Sequence, residues 1–398
     1  MRSPAPSAPS PVCVRARTGR RSRLCQASAA HIYHQRFETP LYPIPAAGRR
    51  RRGPVAGSCA SVTLPRVDAR RHSSGNHRDA EDSPAAPLFI LGLHRSGTTL
   101  LYEMLAASGC FNIVTARHVI HFDRLQNGRA DRDASRRELA AWFEREGLTT
   151  REVDVVRLGP DTPEEYGFVL DRMGAGVRIT ARHFHRFRRM CEVLQRDHGT
   201  DRPLLLKNPW DFGNGLLIRR LMPDAKIVYI HRNPFHVLAS ALRLSVKAAG
   251  RPHPYLAALS DTYAALTESG FPWRVVQRVA REDSVLLARL VIGQSAAMAR
   301  AYLRSIRHVD HGPCFELRYE DLCDRPEETI TAILSYLDVS AQRSVDYAGM
   351  IHRGVPRVPP VIMRHRQRIV RAFFRYGERV GYDLPRLASE LEETGTLR

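Results

Sequence analysis

The stretch FILGLHRSGTTLLYEML (89–105) constrains the fold of this 398-residue chain more than any other. A short continuous apolar run ends at Gly92, Gly97 follows in G-x-x-x-x-G spacing, and Thr98-Thr99 opens a helical pattern closed by Gly109. An apolar run of this length, bounded by glycine, predicts a buried parallel strand. Backbone N–H groups in the turn, with the positive end of the following helix, make an anion site. A nucleoside-triphosphate loop would continue with Lys and Ser/Thr. This loop carries Arg95 inside it and Thr98 in the lysine's place, so it answers to an anion balanced by protein cations rather than by a metal.

The same alternation recurs downstream. PLLLKN (203–208), AKIVYIH (225–231) and CFELRYEDL (314–322) read as further strands. Helices are expected over 135–147 (Ser135 and Glu138 in capping-box spacing), 211–222, 234–247, 284–308, 326–337 and 366–381. Strands alternating with helices predict an α/β fold, a three-layer α/β/α sandwich on a central parallel sheet, P-loop-like. Ligands of such sheets bind beyond the carboxyl ends of the strands, so the loops after the first three strands should converge. No internal repeat is present.

Composition sets the boundaries. Residues 1–85 hold fifteen arginines against five acids, about half of the net charge of +20, among Pro, Ser, Ala and Gly. Such a segment cannot bury enough apolar surface to fold, which predicts a disordered basic tail. Its prolines spoil the amphipathic helix of a transit peptide, so a dispensable tail or an early start codon is expected. Nucleic-acid binding by this tail is the competing account of its charge. The folded domain is expected over 86–385, with 110–200 as an acceptor-binding insert and 386–398 as a carboxyl-terminal tail. The seven cysteines are scattered and form no C-x-x-C pair, which argues for a reducing compartment and against a disulfide or zinc framework. No run approaches the ~18 apolar residues of a membrane helix. Of 61 basic residues only Lys207, Lys226 and Lys247 are lysines. That bias fits a GC-rich bacterial genome, and with the cysteine pattern a cytoplasmic bacterial protein is expected. A lysine kept in such a chain points to a task that arginine cannot do.

Three motifs now stand in order: HRSGTT (94–99), IVYIHRNPFHVLAS (227–240) and LRYEDLCDRPEETI (317–330). Together they resemble the sulfotransferases that use 3′-phosphoadenosine-5′-phosphosulfate (PAPS), over roughly residues 87–340. The first resembles the family's 5′-phosphosulfate loop, which implies Arg95 and the N–H groups of Ser96, Gly97, Thr98 and Thr99 around that end of the donor. The second resembles its 3′-phosphate segment, which implies Arg232 and Ser240. The third implies Tyr319 against the adenine. The physical reading agrees: a donor with two separated anionic ends needs two cationic sites on neighbouring loops, and a planar guanidinium suits a terminal phosphate. The bland alternatives are a surface ion pair for Arg232, a small packing residue for Ser240 and a core tyrosine for Tyr319.

Sulfuryl transfer, like phosphoryl transfer, is in-line and loose, so positioning and cations carry most of the work. Lys207, at the end of the second predicted strand, is expected to point into the site, and its Lys-Asn-Pro context is similar to the Lys-x-Pro of the family's tyrosylprotein branch, where that lysine is catalytic. Lys226 and Lys247 read as ordinary exposed residues. A general base must take the acceptor proton. The cytosolic branch places a histidine two residues after the strand-2 lysine; here Pro209 stands there. The tyrosylprotein branch places a glutamate beyond the first helix; the matching stretch VTARHVIHFD (114–123) has none. It offers His118 first, with His121 and Asp123 behind it. Arg364, Arg366 and Arg368 are available for carboxyl-terminal nucleotide contacts.

The expected activity is transfer of a sulfuryl group from PAPS, without a metal, to a hydroxyl of a carbohydrate, lipid, peptide or small natural product. A P-loop kinase-like phosphotransferase is the first rival; the missing lysine and the absence of an Asp in HRN (231–233) count against it. A non-catalytic nucleotide- or nucleic-acid-binding protein is the second. RHFHRFRRM (182–190) fits either an acidic or sugar acceptor or a solvated helix face.

Overall fold

The computed structural model describes residues 87–151, 156–307, 314–352 and 357–394. The basic segment 1–85 lies outside the described residues. Five strands form one all-parallel sheet: β1 (Leu88–Gly92), β2 (Asn112–Ile113), β3 (Leu204–Lys207), β4 (Lys226–His231) and β5 (Cys314–Arg318), in the order β2-β3-β1-β4-β5. β1 is central, with β3 and β2 on one side and β4 and β5 on the other; the chain goes from β1 to β2 at the edge, returns to β3, and crosses β1 to reach β4. The crevice above the carboxyl ends of β1, β3 and β4 is therefore the topological switch point.

The strands alternate between two cores. Leu88, Ile90, Leu205, Val228 and Ile230 pack with Leu101, Leu105, Ile330 and Ile333 of the helices Thr98–Ala107 and Pro326–Leu337. Phe89, Leu91, Leu206, Ile227 and Tyr229 face the other core, with Phe187, Leu238, Ile292 and Phe373. Helices cover both faces, which is why the strands read as unbroken apolar runs rather than as alternating ones. The three-layer architecture is as the sequence predicts.

Several local expectations differ. The helix Arg132–Arg145 is capped by Asp131, whose side chain accepts from the Ala134 N–H at 2.6 Å. Ser135 is buried one turn in and donates to the Arg132 carbonyl; an Asx cap four residues earlier outcompetes the Ser-x-x-Glu spacing. The helix expected over 211–222 is a 3-10 turn, Pro209–Asp211, followed by Gly215–Leu221. Buried Asp211 gathers the Tyr166 hydroxyl (2.6 Å) and the Asn208 and Asn214 amides (2.9 and 2.8 Å) in that gap. Residues 386–394 belong to the helix Leu384–Thr394, whose Leu384, Ala388 and Leu391 join the core, so the folded body extends beyond 385. Lys226 is half-buried and donates to the Leu337 carbonyl at 2.7 Å, satisfying a helix terminus.

Candidate active site

The β1 loop is built by its two glycines. A Cβ on Gly92 would stand 2.5 Å from Ser96 Oγ and 2.7 Å from the Ile230 carbonyl, so only glycine lets the loop fold over β4. Gly97 has φ 97° and precedes Thr98 as a helix cap that offers no side chain. The first N–H groups of the helix are thus left for a ligand, as an anion site requires. Arg95 holds φ 72°, one of two non-glycine residues in the left-handed region among the described residues. Backbone strain of that kind collects at functional sites.

The second cationic arm rises from β4. Arg232 follows β4, and Asn233 caps the next helix by accepting from the Phe235 N–H at 3.0 Å. The guanidinium of Arg232 lies 4.0 Å from the ring centroid of Tyr319 and donates to the Arg95 carbonyl at 3.3 Å. Arg95 in turn donates to Ser240 Oγ at 3.0 Å. Glu320 accepts from the Asn233 N–H (3.3 Å) and the Tyr382 hydroxyl (2.6 Å), tying the β5 exit to the β4 exit. Arg95 from the β1 loop, Arg232 and Ser240 from the β4 exit and its helix, and Tyr319 from the start of the helix after β5 form one connected cluster against the helix start. Arg366 pairs instead with Glu392 at 2.8 Å, and Arg364 and Arg368 are exposed.

Lys207 ends β3, paired in register with Ile90. Its side chain is fully buried; Nζ donates to Thr99 Oγ1 at 3.3 Å and lies 3.4 Å from Glu165 Oε1. Glu165 is carried there by backbone pairing. The Glu164 N–H donates to the Val114 carbonyl at 2.9 Å and Thr115 bridges Pro163, so the chain runs antiparallel to the continuation of β2 and delivers Glu165 at the start of the helix Tyr166–Arg172. Neighbouring Glu164 is buried away from it, held by Arg151 at 2.9 Å and the Tyr255 hydroxyl at 2.6 Å. Beside Lys207, His94 meets Trp210 edge-on, ring centroids 4.2 Å apart, and both ring nitrogens His94 Nε2 and Trp210 Nε1 are buried without a hydrogen-bond partner. Burial, then the charges of Arg95 and Lys207, push the His94 imidazole down to about 3, so it is neutral.

A family model described as Sulfotransferase family matches residues 87–343, more than half of the chain. The chain belongs to the sulfotransferase family. It is an enzyme that transfers a sulfuryl group. Among solved structures it is similar to sulfotransferase STF9 from Mycobacterium avium, at 16% identity and TM-score 0.55, covering 76% of this chain and 79% of that one. Sulfotransferase STF1 from Mycobacterium tuberculosis H37Rv matches at 15% identity and TM-score 0.47, covering 73% of this chain and 77% of that one. At such identity the first likeness speaks to the fold. No curated protein sequence matches.

Of the candidate bases His118, His121 and Asp123, the two histidines are already engaged by neighbouring side chains of the sulfotransferase. His118 is buried in the capping box of the helix Ala116–Ile120, where Nδ1 accepts from the Thr115 N–H at 3.0 Å and Nε2 faces Asp197 Oδ2 at 3.0 Å. Arg117, buried beside it, also pairs with Asp197. Both nitrogens are committed, and burial pushes the imidazole down to about 4. His121 Nδ1 faces Arg124 at 3.3 Å, and Asp123 is exposed. Sequence reasoning looks for a carboxylate within 114–123 and misses Glu165, about forty residues on, because the pairing that brings Glu165 to Lys207 is non-local. The one available signal is the acid pair Glu164-Glu165 ahead of an apolar run, which reads equally as charge at a helix start. Among the described residues no helix is long and apolar enough to cross a membrane.

Proposed function

We propose that this sulfotransferase takes its sulfuryl group from PAPS and passes it to a hydroxyl, with Glu165 as general base and Lys207 as the cation at the leaving oxygen. The observation that carries this reading is the buried contact of Lys207 Nζ with Glu165 Oε1 (3.4 Å) and Thr99 Oγ1 (3.3 Å) at the mouth of the anion loop. An acid and a cation side by side at a helix start suit in-line transfer. Glu165 takes the proton as the acceptor oxygen bonds to sulfur. The bond from sulfur to the phosphate oxygen breaks, and Lys207 balances the charge developing there. Lysine suits that place because a compact ammonium meets a single oxygen, whereas a guanidinium would span two. Thr98, Thr99 and the N–H groups from Ser96 onward would hold the 5′ end, and Arg232 with Ser240 the 3′-phosphate. Scattered free thiols at Cys110, Cys191, Cys314 and Cys323 support a cytoplasmic setting.

Calorimetric binding of 3′,5′-ADP against 5′-AMP and Mg-ATP tests the donor. The expected result is a strong, Mg²⁺-independent preference for 3′,5′-ADP that Arg232→Ala abolishes. A preference for Mg-ATP would overturn the reading. Binding that survives deletion of residues 1–85 would assign those residues to a dispensable tail; loss of binding would give them a part in the site.

A further inference from the structure

Resting on that donor reading, we propose that Tyr319 is a positioning residue for Arg232, aiming its guanidinium at the 3′-phosphate, rather than a platform for the adenine. The register of the sheet makes them neighbours. His231 pairs with Arg318 across β4 and β5, so the next residues on the two parallel strands are Arg232 and Tyr319. The guanidinium then lies over the phenol ring at 4.0 Å. Tyr319 is fixed from its other contacts. A Cβ on Gly97 would stand 2.3 Å from Tyr319 Cδ2 and 2.9 Å from Cε2, so the ring is seated against the loop that opens the helix. Its hydroxyl hydrogen-bonds with Cys323 one turn along its own helix. Arg232 has few other anchors on its own chain. Nη1 donates to the Arg95 carbonyl at 3.3 Å, and Nε is buried with no hydrogen-bond partner. An arginine side chain loses much rotamer freedom on being fixed. An aromatic face that holds it flat pre-orders the fork before the phosphate arrives, which is where a planar donor gains most.

The arrangement also explains why one residue serves both loops. The ring touches Gly97 on the 5′ side and Arg232 on the 3′ side, so the spacing between the two anion sites is set by a rigid side chain.

An adenine contact and a positioning role make opposite predictions for a nucleotide that lacks the 3′-phosphate. In the full-length protein, Tyr319→Leu should lower affinity for 3′,5′-ADP about tenfold while moving 5′-AMP no more than about twofold. Tyr319→Phe keeps the ring and should keep the wild-type preference. Adding Arg232→Ala to Tyr319→Leu should cost little more than Arg232→Ala alone, because both changes disable one device. Equal losses for the two nucleotides in Tyr319→Leu, with the wild-type melting temperature, would make Tyr319 an adenine contact and overturn the inference. So would loss of preference in Tyr319→Phe, or additive losses in the double variant. A wild type that shows no preference for 3′,5′-ADP over 5′-AMP would instead overturn the donor reading itself. A preference retained in Tyr319→Leu would leave the donor reading standing and sink only this proposal.

Discussion

The two sides of the crevice are made differently. On the side we assign to the donor, most residues sit within a few positions of a strand end, Arg95 and Gly97 after β1, Arg232 after β4 and Tyr319 after β5, with Ser240 two turns into the helix that follows β4. On the side we assign to the acceptor, Glu165 arrives at the end of a long excursion from β2, positioned by Val114, Thr115 and Pro163. Strand ends are fixed by the sheet, so local sequence determines the first arrangement. The second depends on buried polar networks, Arg117–His118–Asp197 and Arg151–Glu164–Tyr255, that join segments far apart in the chain. A side built from such networks can vary without disturbing the sheet, which is how one donor site can be combined with different acceptors.

The sharpest test of this division is at the point where the sides meet. Lys207→Met should lower turnover of PAPS, with the best acceptor from a hydroxyl panel, about 10³-fold, in the range seen when a transition-state donor is removed. Affinity for 3′,5′-ADP should stay within a few-fold, since the product lacks the sulfonate. A loss of product affinity as large as the loss of turnover would make Lys207 a binding residue of the donor side. Next in size, Glu165→Gln should cost about 10²-fold or more in turnover. His118→Gln should leave turnover within a few-fold and lower the melting temperature. The reverse pattern would restore His118 as base and break the comparison.

A smaller effect is expected at the seam between the donor loops. Gly97→Ala forces a side chain into φ 97° and against the Tyr319 ring. A strained left-handed residue costs about 1–2 kcal/mol, which should lower the melting temperature by a few degrees, and the displaced Tyr319 ring should lower affinity for 3′,5′-ADP severalfold by calorimetry. Unchanged affinity would mean that Tyr319 moves freely and that the donor side is less pre-ordered than its contacts suggest.

What is legible in the sequence follows the same line. Four of the five strands and the parallel layered fold can be read from runs and spacing, because strand ends and glycine turns carry short-range signals; Arg95 and Lys207 stand out by their place at strand ends, whereas Arg232, Ser240 and Tyr319 are singled out as a set only by the resemblance of their motifs to the family. β2 escapes because two residues, Asn112 and Ile113, leave no periodicity. His94 and Trp210 escape because a histidine in a loop and a tryptophan after Lys-Asn-Pro have no pattern until the two rings meet. His118 invites a catalytic reading through its ordinary pKa, a property that burial removes.

The pH dependence of stability probes the acceptor-side network most gently. The buried His118 imidazole is held at about 4, from an ordinary value near 6.5, chiefly by desolvation, with Arg117 and His198 opposing its charge and Asp197 partly favouring it. As the pH falls through 6.5 an unfolded chain takes up this proton, while the folded protein refuses it until about pH 4. The unfolded state therefore binds more protons across that window, and stability must decline as the pH drops through it, remaining flat above about 7. Asp197 is held well below the usual carboxylate range by the His118 and Arg117 hydrogen bonds, which outweigh its own desolvation; it stays ionised in the folded protein, and because an unfolded aspartate begins to take up its proton below about pH 5, it adds to the loss only at the acid end of the window. A tenfold change in a group's proton affinity between the two states is worth about 1.4 kcal/mol, so the His118 contribution is a few degrees of melting temperature in a chain of this size. His94, His231 and His236 are buried neutral as well and share the sign. The wild type should thus lose melting temperature between pH 7 and pH 4.5, and His118→Gln should show a shallower slope over the same range, measured by thermal unfolding at matched ionic strength. A steeper slope in His118→Gln would mean that the imidazole is already protonated beside Asp197. The network would then be a charged triad rather than a neutral cap on an ion pair.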